Sequence, residues 1–257
     1  MEITIVSVTA ILGLFFGMLL LLELGLRLGR RRLAVDEGGS RAGLGAVEGA
    51  VFALMGLLVA FSFSGAASRF DARRRMIVDE ANAIGTAWLR LDLLPAGSQP
   101  GLRELFRGYL DARISIYQKL PDLAAARAEF ARANSLQSQI WSNATAAVQQ
   151  APPPVMGTVL PALNQMFDVA TTRTTATEFH PPAIIFAMLG GLTLVSALLA
   201  GFAMAGSKAR SWVHVLGFAL IMTITIYVIL DLEFPRVGMI RIDATDQVLS
   251  DLRAGMK

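Results

Sequence analysis

The sequence predicts an all-α membrane protein: four transmembrane helices in two hairpins that flank a central helical-bundle domain. Three observations carry this. The 257 residues are 54% hydrophobic and only 17% charged, against roughly 25% charged in ordinary soluble domains. The excess is concentrated in four runs, residues 3–26, 44–67, 182–206 and 211–230, whose only charges are Glu23 in the first and Glu48 in the second. Each run reaches the roughly 18 to 20 residues a helix needs to cross a bilayer core. The stretch between the hairpins, 68–181, mixes charged and apolar residues at helical spacing and contains no β-rich segment.

Each run is expected to be a helix, because a backbone in lipid has to satisfy its own hydrogen bonds. The first begins Met1-Glu2 with no basic flank and no Ala-x-Ala site, and its arginines follow it; it reads as a retained span, not a cleaved leader. The second is expected to continue into the central domain. No proline occurs before Pro95, and Phe70, Ile77, Ile84 and Leu91 recur every seven residues with Ala81 and Trp88 between them. This is a coiled-coil-like seam, and Asp71/Arg75 and Arg75/Asp79 add i,i+4 support. One helix of about 50 residues, roughly 75 Å long, results; a break at Ser64-Gly65 is the alternative. Further helices are read at 102–120, with Leu102, Phe106, Tyr109, Leu110 and Tyr117 on one face, at 122–149, and at 155–178 after the break at Pro152–Pro154. The domains are then 1–67, 68–181 and 182–232, with 233–257 as a tail.

Several function classes drop out. With no cysteine and only His180 and His214, there is no disulfide, no thiolate nucleophile and no multi-His metal site. No phosphate loop, His-Glu-x-x-His or nucleophile elbow occurs. Glu80, Asp168 and His180 could form an acid–base set, but no enzyme, cofactor or metal is expected. The net charge of +3 comes from arginines beside the spans, a membrane-anchoring pattern, so the partners are the lipid bilayer and not nucleic acid.

The second span carries a stripe of small residues, Gly45, Gly49, Ala53, Gly56 and Ala60, which let helix backbones approach closely in lipid. It serves either packing against a neighbouring span or an oligomer seam around an axis. In the second case Phe52, Gly56, Phe61 and Phe63 are pore or gate candidates, since apolar rings gate by dewetting. Glu48 is an intramembrane carboxylate, with His214 or Arg210 expected as its partner; pairing and an ion path are both open. At the other end of the spans, Asp231 and Glu233 are expected to meet Arg69 and Arg73, with Arg236 nearby, as a clamp or an ion-selecting ring. Glu80, Asn82, Asn164, Asp168, Arg173 and His180 are expected to join one buried polar network between helices.

Arg27, Arg30, Arg31 and Arg32 follow the first span closely, with none before it. By the positive-inside rule this favours a multi-pass protein of the cell (inner) membrane with its N-terminus and central domain extracytoplasmic.

The stretches "FSFSGAASRFDARRRMIVDEANAIGTAWLRLDLLP", "LPALNQMFDVATTRTTATEFHPP" and "DLEFPRVGMIRID" resemble bestrophin-like domains of bacterial membrane proteins. The resemblance implies the plan of bestrophins, pentameric anion channels whose two membrane hairpins flank a cytosolic helical domain and whose second span lines the pore. Phe52, or Phe61 and Phe63, would then stand at the hydrophobic neck. The expected function is a homo-oligomeric, anion-conducting channel for small ions. The alternative is a non-conducting membrane scaffold or sensor whose helical domain binds a partner protein.

Overall fold

A computed structural model describes residues 2–35, 42–207 and 211–257. Its helices are α1 (Glu2–Val35), α2 (Ala42–Arg90), α3 (Gln99–Gln118), α4 (Leu123–Val148), α5 (Pro153–Ala176), α6 (Ala183–Ala203), α7 (Trp212–Glu233) and α8 (Asp243–Gly255). No strand occurs among the described residues. Four helices, α1, α2, α6 and α7, are long and apolar enough to cross a membrane. The protein is therefore all-α, with four membrane-type helices.

The chain divides into two compact units, Met1–Arg69 with His180–Met239, and Phe70–Phe179 with Ile240–Lys257. Helix α2 contributes to both. It runs 49 residues without a break at Ser64-Gly65. A mid-helix glycine costs about 1 kcal/mol, which the good helix formers around it offset. A 3-10 turn at Leu91–Leu93 ends the helix, and Leu94 turns extended because the residue before Pro95 avoids helical geometry.

In the second unit the seven-residue seam is the core. Ile77, Ile84 and Leu91 are fully buried, with Ala81 and Trp88 between them, against Leu102, Phe106, Tyr109 and Leu110 of α3, Ile140 of α4, and Leu163 and Met166 of α5. Local chemistry sets the helix starts: Asp122 accepts hydrogen bonds from the amides of Ala124 and Ala125 at 3.0 Å, an N-cap, and Pro153 begins α5, where its missing N–H is harmless. The segment read as a tail contains α8. Ile242, Leu249 and Met256 of this segment are buried and Leu252 packs against the same core, too few apolar positions to stand out by periodicity.

In the first unit α1 packs on α6 and α7 around Met18, Leu22, Ala197, Val215 and Ala219. The closest crossing is built by Gly25 and Gly29 of α1 and Gly201 of α6. A Cβ on Gly25 would collide with the Leu198 carbonyl oxygen, and one on Gly201 with that of Leu22. This is the small-residue contact that lets two helices touch backbone to backbone. Of the two uses open for the stripe on the second span, packing on a neighbouring span of the same chain is not seen at its glycines: an added Cβ on Gly45, Gly49 or Gly56 would meet nothing within 4 Å.

Candidate functional site

At about 100° per residue, Gly45, Gly49, Ala53, Gly56, Ala60, Phe63 and Ala67 fall within about 40° of a single line along α2. All but the half-buried Ala67 are exposed. The chain covers a different side of the helix, at Met55 and Ala66, about 110° away. Over its apolar window α2 is only 11% buried, the least of the four membrane-type helices. The phenylalanines separate by register. Phe63 shares the stripe, and Phe52 borders it with its ring edge-on to Phe218, centroids 6.5 Å apart. Phe61, 68% exposed, points about 120° away from the line.

Where α2 leaves its apolar stretch, Glu233 of α7 gathers charge. Its carboxylate is 1% exposed; Oε2 accepts from Arg69 Nε at 2.8 Å and Oε1 lies 3.0 Å from His180 Nδ1. The His180 ring stacks on Phe234, centroids 4.7 Å apart. Asp231, two residues earlier, lies about 200° round the helix. It accepts the Met239 amide at 3.0 Å, packed where a Cβ on Gly238 would strike it. Arg73 donates to the carbonyls of Ala176 at 3.5 Å and Phe179 at 3.1 Å. Of the residues expected to form the clamp, Arg69 and Glu233 pair, His180 joins them, and Arg236 is half-buried in the following turn.

A second cluster lies inside the helical unit. Glu80, wholly buried, receives Arg113 Nε on one oxygen and Arg173 Nη1 on the other, each at 2.5 Å. Arg173 also reaches Asp246 of α8 at 2.9 Å and stands 3.9 Å above the Tyr117 ring centre. Burial pushes the Glu80 carboxyl up, but the two guanidinium groups outweigh it and hold it below the usual carboxylate range. Burial likewise pushes the nearby Tyr109 phenol up. Asn82, Asn164 and Asp168 are exposed and stand outside this network. Asn82 is about 200° round α2 from Glu80, and Asn164 and Asp168 lie off the buried line Val159, Leu163, Met166, Ala170 and Arg173 of α5. His180 belongs to the Glu233 cluster instead.

The Glu48–His214 pair does not form among the described residues, and Arg210 lies outside them. His214 Nδ1 is 2.6 Å from Ser211 Oγ, and the carboxylate that lines a cavity with His214 is Glu23. The reason is that α1 packs directly on α7.

The Bestrophin-like domain family matches residues 13–246. This chain belongs to the Bestrophin-like family. No curated protein matches it, but its fold is similar to crystal structures of a bacterial bestrophin homologue from Klebsiella pneumoniae. One of these, a mutant with a tyrosine replaced by alanine, has TM-score 0.69 and 15% identity, covering 93% of this chain and 97% of that one. Another, with a leucine replaced by threonine, has TM-score 0.71 and 14% identity, covering 95% and 98%.

In this bestrophin-like chain, sequence reasoning missed Arg113, Asp246 and the Arg253–Asp111 pair, whose two contacts are 2.7 and 3.1 Å. Arg113 left a signal. It occupies the next helical position of the apolar face Phe106, Tyr109 and Leu110, where a charge needs a buried partner. Asp246 left none, because the short α8 looks like any polar tail.

Proposed function

We propose that this protein is a homo-oligomeric, anion-conducting channel in which copies of α2 line the pore. The supporting observation is the open small-residue face of α2. The described residues of its own chain leave it uncovered, and a ring of such faces lets helices gather closely around an axis. Phe63 on that face is the gate, narrowing a dry constriction, while Phe61 faces away. Arg74 and Asp71, 3.7 Å apart and 53% and 62% exposed, both fall on the same line beyond Ala67, so the anion preference rests on the bestrophin resemblance and on the longer reach of the Arg74 guanidinium toward the axis. A pentamer is the assembly that the bestrophin resemblance implies.

Purified protein in planar bilayers should carry anion current, with reversal potentials following the chloride gradient. Phe63→Ala should raise basal current severalfold and Phe61→Ala should leave it unchanged. Absence of current from intact oligomers would leave a non-conducting membrane scaffold. A larger effect at Phe61 would reverse the assigned register.

The arginines after α1 support a cytoplasmic connection between α1 and α2 and an extracytoplasmic helical unit. Ala96 is exposed and the chain has no native thiol. An Ala96→Cys variant should react with an impermeant maleimide in intact cells; labelling only after lysis would place the helical unit in the cytoplasm.

A further inference from the structure

A cavity of about 240 Å³ opens in the first unit, away from the stripe of α2. It is lined by Leu22, Glu23, Leu26 and Arg30 of α1, Met204 and Ser207 after α6, and Ser211, His214 and Val215 at the start of α7. Its floor is apolar and its rim polar. Glu23, Leu26 and Arg30 are spaced i, i+3, i+7, so they share one face of α1. Arg27 lies off that face, 72% exposed, and binds Glu23 Oε1 at 2.8 Å. With Glu23 countered by Arg27, Arg30 leaves the cavity net positive, and Ser207, Ser211 and His214 add hydrogen-bonding groups around it.

The level of this cavity in the bilayer is marked by chemistry. Arg27, Arg30, Arg31 and Arg32 end the apolar run of α1, and Trp212, 55% exposed, begins α7. Clustered arginines and an interfacial tryptophan mark the headgroup layer. At roughly 30 Å³ per water-sized group, the volume holds about eight such groups, the size of a phosphate with a short polar substituent.

We propose that this cavity binds the headgroup of an anionic phospholipid such as phosphatidylglycerol. The phosphate sits against Arg30 with the Ser207 hydroxyl and with the Ser211 hydroxyl, which accepts from His214 Nδ1 and turns its own proton to the phosphate, and Glu23 accepts a hydrogen bond from a headgroup hydroxyl. A trimethylammonium headgroup has no donor for Glu23 and brings a cation to Arg30, so phosphatidylcholine is disfavoured.

The test uses the full chain in detergent with added lipid, read by native mass spectrometry. Phosphatidylglycerol should be retained over phosphatidylcholine by roughly tenfold, as hydrogen bonds to charged groups warrant. Arg30→Gln should abolish the preference. Arg31→Gln, a neighbouring charge that does not line the cavity, should keep it. Equal losses for Arg30→Gln and Arg31→Gln would mean general attraction to a basic surface and overturn the site. Equal retention of the two lipids would do the same. If inorganic phosphate displaced phosphatidylglycerol at equal concentration, the lipid assignment would fall.

Discussion

Glu80→Ala is expected to destabilise the helical unit by about 3–5 kcal/mol, the cost of removing one partner from a buried ion pair. Glu80 is 0% exposed and holds Arg113 and Arg173, each 3% exposed by side chain. Without the carboxylate, two guanidinium groups face each other in the core with Asp246 as the remaining anion on Arg173. Glu80→Gln keeps the volume and removes the charge, so it should cost less but remain clearly destabilised. The acid limb of stability is a second readout. The folded Glu80 carboxyl is held below its ordinary value, so its contribution is complete above the unfolded carboxylate pKa of about 4.3. It is lost as pH falls through the lower folded value. The wild type should therefore lose stability progressively below about pH 4, and Glu80→Gln should lose less over that window. Thermal unfolding in detergent across pH 3 to pH 7 checks both, at about that range of carboxylate titration. Matching melting temperatures for wild type and Glu80→Ala at neutral pH would remove the cluster's structural role.

Gly201→Val carries the second large effect. A Cβ there meets the carbonyl oxygen of Leu22, and Gly25 has the reciprocal contact with Leu198, so neither helix can yield by turning a side chain. Helices α1 and α6 must move apart, loosening the packing of Met18, Leu22 and Ala197. Overpacking of this kind costs roughly 1–3 kcal/mol or more. Even Gly201→Ala should lose stability although alanine is the better helix former by about 1 kcal/mol. Gly191→Ala on the same helix has open space around it and should be neutral or slightly stabilising. Equal behaviour at the two glycines, measured by thermal unfolding in detergent, would show that the crossing is not where the close approach lies.

Both predictions concern features only partly visible in the residue order. The four apolar runs were legible because lipid requires an unbroken hydrophobic length, and the seam Ile77, Ile84 and Leu91 because burial on one face imposes a fixed period. The stripe on α2 was legible as a stripe, but not its use. Glycines at helical spacing look the same whether they meet a neighbour or lie open, and α1 carries Gly25 and Gly29 at the same spacing. The polar network was legible at Glu80 and Arg173 and misleading at Asn82, Asn164 and Asp168. A polar residue on a helix declares its type, while its azimuth against the core depends on which neighbours pack where.

The chain alone thus determined its class, its membrane-type helices and the continuity of α2, since these follow from hydropathy, period and the absence of proline. Only the tertiary structure decided that α1 and α6 make the tight crossing, that Glu233 selects Arg69 and His180, and that α8 supplies Asp246 to Arg173. Such choices are made between segments far apart in sequence, and the energy that decides them, close packing and charge compensation in a dry interior, does not exist until the segments meet.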